Sequence, residues 1–304
     1  MHHHQNLSKA GAFCAAVCAF CLNVFAFSGG TITGTSNNWG TGGNVPSPVT
    51  LTSDVTVPQN ITLIIQPGTV VTGNFAIIVN GSLQVNGTVD AFAAINGGRI
   101  LFSAGGGASK LQFLKINTAA SDAVNITGAN VELSHVEIQN FGTNGVYISG
   151  ASSAVKINFC TIGAQSRWTG NTNDAFSVTV ENNALGANIS ILNSILGLEN
   201  RSTTHGLKLT GGNSTTLKIS HTFVSGTRTG TSSQETNVYT ANPGIFDIPN
   251  SRFILDKYAP AIDAADPAES YSNEPAPSGN RAAGYLRSAT MGSASTRSSR
   301  TVSS

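Results

Sequence analysis

Charge is what this chain has least of: Asp, Glu, Lys and Arg make up 10% of its 304 residues, and the formal net charge is +1. No overall field draws in nucleic acid or an acidic membrane surface, so nucleic acid is excluded as a partner and a charged ligand must be met by a local cluster. Cysteine is scarce too. Of four cysteines, Cys14, Cys18 and Cys21 lie in an apolar leader, and Cys160 is left without an internal partner. A disulfide framework is excluded, and Cys160 reads as a small interior residue, not a catalytic thiol. After the leader no apolar run of about twenty residues follows, so no membrane insertion of the mature chain is expected. The middle of the chain is poor in acids. Asp122, Glu132, Glu137, Asp174, Glu181 and Glu199 do not cluster in sequence, and no metal or cofactor is expected.

What the chain does have is a leader and a repeat. Met1 to Lys9 is a short polar start, and Ala10 to Phe27 is a small-and-apolar run ending Val24-Phe25-Ala26. Residues 1–26 therefore read as a secretory signal peptide, which makes the protein secreted or extracellular, with the cell surface also open. No lipobox precedes the leader cysteines. Gly29 to Pro48, rich in Gly, Thr and Asn around Trp39, reads as part of an irregular N-terminal cap over 27–49, needed because an open terminal coil exposes unpaired backbone groups.

From about residue 50 to 230 a unit of some twenty-two residues recurs. One half is an apolar-x-apolar-x-x-small-x-apolar strand: Val131, Leu133, Val136, Ile138; Val155, Ile157, Cys160, Ile162; Ile189, Ile191, Ser194, Leu196; Leu217, Ile219, Thr222, Val224. The other is a short strand opened by a polar residue: Asp122 to Gly128, Asn144 to Gly150, Asp174 to Val178, His205 to Gly211. Each copy is too short to bury its own apolar face, so the copies must stack. The expected fold is all-β, a single-stranded right-handed parallel β-helix. One inward column holds Val131, Val155, Ile189 and Leu217, and the next holds Leu133, Ile157, Ile191 and Ile219. Residues 231–281 are expected to form a closing coil and C-terminal cap. The Ser/Thr/Arg-rich 282–304 has no periodicity and reads as a disordered tail or as a truncated or frame-shifted gene end.

Two segments carry a family likeness. Pro67-Gly68-Thr69-Val70-Val71 followed by Asn80-Gly81-Ser82-Leu83 and Asn86-Gly87-Thr88 resembles the opening coils of secreted bacterial right-handed parallel β-helix repeat proteins, which share the pectate-lyase-like shape. Ala259-Pro260-Ala261-Ile262-Asp263-Ala264-Ala265-Asp266-Pro267, with Asn273-Glu274-Pro275 after it, is similar to the segment that closes the solenoid in that group. The resemblance implies fold and secretion, and supplies no catalytic residues. After Arg281 it stops.

Three sets of residues are candidates for a site. Asp122, Asn144, Asp174 and His205 share one register before the second strand and read as a turn ladder of backbone-bonding side chains. Arg167, Arg201 and Arg228 follow the first strand at nearly the same offset, with Trp168 and Glu199 beside them, in the loops that lengthen the coils. They are either solvated surface arginines or an edge that grips the acidic groups of an extended glycan, with Trp168 stacking on a sugar ring. His135 and His221 take equivalent positions, filled by Phe159 and Asn193 in the coils between, and read as surface or turn residues too far apart to share a metal. The acid-poor coils favour a non-catalytic monomer that binds extracellular polysaccharide. A polysaccharide lyase or glycoside hydrolase acting on a uronate-type polymer is the rival, and a structural spacer of a surface assembly is the third reading.

Overall fold

The computed structural model describes residues 27–35, 37–118, 121–163, 175–197, 204–246, 254–255, 259–262 and 264–269. The leader and the tail lie outside them. The described chain is an all-β parallel solenoid, with one sheet of nine strands and one of fourteen. Among the described residues the helical structure is a single turn, Asn182–Ala184. The segment expected as an irregular cap is already part of the stack: Gly30–Thr31 pairs with Val55–Val57, Asn38–Trp39 with Thr62–Ile65, and Val49–Thr50 with Val70–Thr72. Its end is closed by Trp39, fully buried, with the Phe27 ring 5.6 Å away.

The inward columns stand where the repeat places them. Val131, Val155 and Ile189 are successive partners, as are Leu133, Ile157, Ile191 and Ile219, and all of them are buried together with Leu217. The earlier rung, Ser109–Asn117, joins the same columns through Leu111, opposite Leu133. Because the inward side chains of each rung lie about 4.8 Å above those of the last, each apolar residue is roofed and floored by its own kind.

Alternation alone cannot put Leu133 and Val136 on one face, since they are three residues apart. The chain resolves this at a corner. Phe113, His135, Phe159, Asn193, His221 and Asn237 occupy that place in six successive rungs, with φ between 47° and 57° in every one. One left-handed residue turns the strand and resets its alternation, so both arms point their apolar side chains inward. The left-handed region costs an ordinary L-residue about 1–2 kcal/mol. Stacking offsets it. Phe92 meets Phe113 edge-on at 5.5 Å, Phe113 stacks on His135 at 4.5 Å, and His135 on Phe159 at 5.0 Å. His135 and His221 are therefore buried corner residues rather than surface ones.

The small residue after the corner has its own task. Cys160 Sγ lies 3.3 Å from the Asn158 carbonyl, Ser194 Oγ donates to the Leu192 carbonyl at 2.6 Å, and Thr222 Oγ1 to the Ser220 carbonyl at 2.8 Å. Each side chain reaches the carbonyl of the residue just before the corner, and the Leu192 and Ser220 carbonyls also accept from the Phe159 and Asn193 amides of the neighbouring rung. Cys160, Ser194 and Thr222 are fully buried. Burial pushes the Cys160 thiol up to about 12.

The closing signature does not add a further rung. Ser232–Tyr239 is the last strand of the larger sheet. Beyond it Ile245–Phe246 pairs antiparallel with Ile254–Leu255. Leu255, Ala259 and Ala261 then cluster with Ile195 and Phe223 on the outer side of the second arm, and Ala265 packs on Phe159. The Asp266 amide donates to Asn193 Oδ1 at 2.8 Å. The segment thus runs back over earlier rungs as an outer strap.

Two outcomes follow from this packing. Ile191→Asp buries a carboxylate among apolar neighbours and should cost more than about 4 kcal/mol, whereas Cys160→Ser keeps the carbonyl contact and should cost about 1–2 kcal/mol. Urea unfolding of both variants measures the difference. His135 supplies the second. Burial, then the Lys110 charge, push it down to about 4 from 6.5, so the folded state resists protonation. Its contribution is complete above pH 6.5 and is lost as pH falls from 6.5 towards 4, by about 3 kcal/mol. Glu137, pushed up by burial despite Lys115 nearby, adds a trend of opposite sign. That trend is common to the parent and a His135→Phe variant, so the difference between their stabilities isolates the histidine. The variant should gain on the parent over that window, and parallel pH profiles would contradict the assignment.

Candidate functional site

The outer face of the nine-stranded sheet carries the first set of candidate residues. Val124, Val146, Val178 and Leu207 form its inward column. Two positions before them stand Asp122, Asn144, Phe176 and His205, each opposite the next. The third place in this row thus belongs to Phe176 and not to Asp174, which lies outside the described residues. Ala123 and Val124 are both buried, so alternation breaks between them and the row meets the outward Asn125 and Thr179. Asp174-Ala-Phe-Ser-Val178 repeats the order of Asp122-Ala-Val-Asn-Ile126, so the sequence did not expose the slip.

The row is tied together by side chains. Asn144 Nδ2 donates to Asp122 Oδ1 at 2.7 Å, Asn125 Nδ2 donates to Asp122 Oδ2 at 3.0 Å, and Thr179 Oγ1 donates to Asn144 Oδ1 at 2.6 Å. Further along, the His205 ring lies 4.6 Å from that of Phe176, and Lys208 Nζ sits 5.0 Å above the same phenyl ring. These residues open strands instead of bending turns, and they bind across rungs. Asp122 and Asn144 make a ladder, but of side chain to side chain.

Beside that row runs a second outward column that the sequence reading passed over: Asn125, Tyr147, Thr179 and Lys208. Tyr147 is half-buried, and its hydroxyl donates to the Glu181 carboxylate, which also accepts from Thr210 Oγ1 at 2.6 Å. Burial first, then Glu181 and Asp122, push the Tyr147 phenol above its ordinary range. The signal was present. Each member is the single residue between two inward apolar ones, Val124 and Ile126, Val146 and Ile148, Val178 and Val180, Leu207 and Leu209.

The arginine set divides. Arg167, Trp168, Glu199 and Arg201 lie outside the described residues, in the segments that lead into strands Ala175–Val180 and Thr204–Leu209. Arg228 is described, and it is not a free cation on a glycan edge. It stands opposite Leu207 in the last rung of the first sheet, and Glu235 stands opposite Ile219 in the last rung of the second. Both positions are inward ones. The two side chains meet there as a bidentate pair, Arg228 Nη1 to Glu235 Oε2 at 3.0 Å and Nη2 to Oε1, with Nε donating to the Gly230 carbonyl at 3.1 Å. Where the preceding rungs place valine, leucine or isoleucine, the last places an ion pair, which ends the apolar core with a polar lid. The pull of Arg228 and of the Ser232 amide is set against burial, and the Glu235 carboxyl lies below its ordinary value.

Among the described residues no three His, Cys, Asp or Glu side chains come together as a metal site. Asp122 and Glu181 belong to strands two rungs apart, Asp122–Thr127 and the end of Ala175–Val180. What this face offers is the half-exposed amide of Asn125, phenol of Tyr147 and ammonium of Lys208, while Thr179 is buried in the same column. Comparison with family models, with curated proteins and with solved structures returned no match.

The lid has a direct consequence. Replacing both partners, Arg228→Leu with Glu235→Leu, leaves the last rung apolar and unpaired at its open edge. The variant should associate end to end in a concentration-dependent way, read by sedimentation velocity, while the parent does not change its state over the same range. A double variant that sediments as the parent does would show that the pair is not what closes the stack.

Proposed function

We propose that the chain is a secreted or cell-surface protein of the right-handed, pectate-lyase-like β-helix type that binds extracellular polysaccharide without turning it over. The observation that carries this reading is the outer face of the nine-stranded sheet. Asn125, Tyr147, Thr179 and Lys208 stand in a straight column on rigid strands, beside Asp122, Asn144, Phe176 and His205. An extended sugar polymer laid along the stack would meet the half-exposed Asn125, Tyr147 and Lys208, held in place before it arrives, with Thr179, Asn144, Phe176 and His205 buried among them. The segments bearing Arg167, Trp168, Glu199 and Arg201 precede, in sequence, strands Ala175–Val180 and Thr204–Leu209 of this sheet. In this reading Trp168 stacks on a sugar ring and Arg201 meets an acidic group. Arg228 takes no part, being engaged with Glu235.

The full chain screened against a glycan panel tests the reading, with unsaturated-product absorbance and reducing ends followed in the same samples. Binding without product is expected. Tyr147→Ala and Trp168→Ala should weaken it at all salt concentrations, and Arg201→Ala should weaken it mainly at low salt, since exposed charge contacts are screened over about 8 Å at physiological ionic strength. Accumulating product would replace this reading with the lyase or hydrolase. A panel without any binder would leave the structural spacer in its place.

A further inference from the structure

The larger sheet bears a different surface on its first arm, on the side away from the core. Gln84, Lys110, Glu132, Lys156, Ser190, Lys218 and Gln234 are successive strand partners across seven rungs. Each alternates with buried residues of the inward columns, so the whole row faces outward. Lys156 and Lys218 are exposed, and Lys110 and Glu132 are half-exposed. The three lysines fall on every second rung. Their backbones are therefore spaced at about 9.6 Å, twice the distance between neighbouring strands. Of the rungs between them, one carries Glu132 and the other Ser190, so the row reads plus, minus, plus, neutral, plus.

A second row runs parallel to it on the same face: Gln112, Ser134, Asn158, Leu192, Ser220 and Thr236. It is amide and hydroxyl apart from Leu192. Several of its members are fixed, Ser134 Oγ at 2.9 Å from His135 Nδ1 and Ser220 Oγ at 2.8 Å from His221 Nδ1. The face thus combines a periodic row of cations with a rigid row of uncharged hydrogen-bonding groups.

We propose that this face binds an extended acidic glycan that presents one acidic group for every two rungs of the solenoid. Each such group falls over a lysine, and the uncharged sugars between fall over Glu132 and Ser190, the first beside Ser134 and the second against the apolar Leu192. The Lys156–Glu132 contact, 3.9 Å between two side chains each 40% exposed or more, does not block this. An ion pair so exposed is worth about 0–1 kcal/mol and exchanges readily for a ligand's acidic group. A polymer with an acid on every sugar at rung spacing would bring one of them over Glu132, and the face disfavours it. Duplex DNA is a poor fit, with one phosphate for about every 3.4 Å of helix axis on each strand. This inference concerns a different sheet from the function proposed above, so variants on one face leave the other intact.

The test uses the full chain with labelled hyaluronan oligosaccharides, which carry one carboxylate per disaccharide. Polygalacturonate oligosaccharides, dextran oligosaccharides and a short DNA duplex are compared beside them. Hyaluronan should bind, with affinity falling as salt rises, and dextran should not. Lys156→Ala, at the centre of the row, should weaken hyaluronan binding roughly fivefold, and the triple variant Lys110→Ala, Lys156→Ala, Lys218→Ala should abolish it. Arg99→Ala, the same change of charge on the other sheet, should leave it unchanged, and circular dichroism verifies that each variant is folded. Glu132→Gln should strengthen polygalacturonate more than hyaluronan. The proposal is overturned if hyaluronan does not bind, if DNA or polygalacturonate binds the parent as tightly as hyaluronan does, or if Arg99→Ala costs as much as Lys156→Ala.

Discussion

The six rungs from Ser109–Asn117 onward depend on one left-handed residue each. Without the corner at Phe113, His135, Phe159, Asn193, His221 and Asn237, a continuous strand would send half of its apolar residues outward, and no closed core would exist. Each corner is strained by itself and tolerable only in a stack, where the rings of Phe113, His135 and Phe159 lie on one another and Cys160, Ser194 and Thr222 bind the carbonyls just before the corner. Local strain is thus held by non-local packing, as expected of a fold whose copies have no stability alone.

The same constraint fixes the surfaces. Once each rung is locked in register with the last, an outward side chain on one rung stands directly over its counterpart on the next. A row of like positions then becomes a straight row of functional groups at a spacing set by the backbone. The nine-stranded sheet displays Asn125, Tyr147, Thr179 and Lys208 in this way, and the first arm of the larger sheet displays Lys110, Lys156 and Lys218. Neither row requires a pocket. Recognition of this kind suits a long, repetitive polymer better than a small molecule, because the energy of each contact is small and the number of contacts grows with length.

Much of the frame was legible before any coordinates. The period of some twenty-two residues and the columns through Leu133, Ile157, Ile191 and Ile219 follow from residue type and spacing alone, since a buried position in a stacked fold tolerates little else. The two adjacent free positions in the apolar-x-apolar-x-x-small pattern were visible too, but their meaning was not. A phenylalanine at positive φ, as at Phe113 and Phe159, contradicts local preference and is paid for only by neighbours one rung away. The place of Phe176 in the ladder was obscured because Asp174-Ala-Phe-Ser-Val178 repeats the polar-small-apolar-polar-apolar order of Asp122 to Ile126. Arg228 read as a surface cation because most arginines are. Its role as a lid depends on Glu235, seven residues on, entering the opposite sheet at an inward place. The outward lysines are readable as the residues flanked by inward pairs, but with Glu132 and Ser190 between them they form no run of like charge in the sequence.

The central claim is that outward residues of successive rungs stand in straight register along the first arm. Spin labels on a Lys110→Cys, Lys218→Cys variant measure it directly, with Cys14, Cys18 and Cys21 replaced by Ser. Cys160, fully buried with its thiol pushed up to about 12, stays unlabelled. Four strand spacings separate the two positions, so a single narrow distance distribution centred near about 19 Å is predicted, broadened only by the label linkers. A broad or bimodal distribution, a centre displaced by a whole rung, or failure of either site to react would contradict the register on which both surfaces rest.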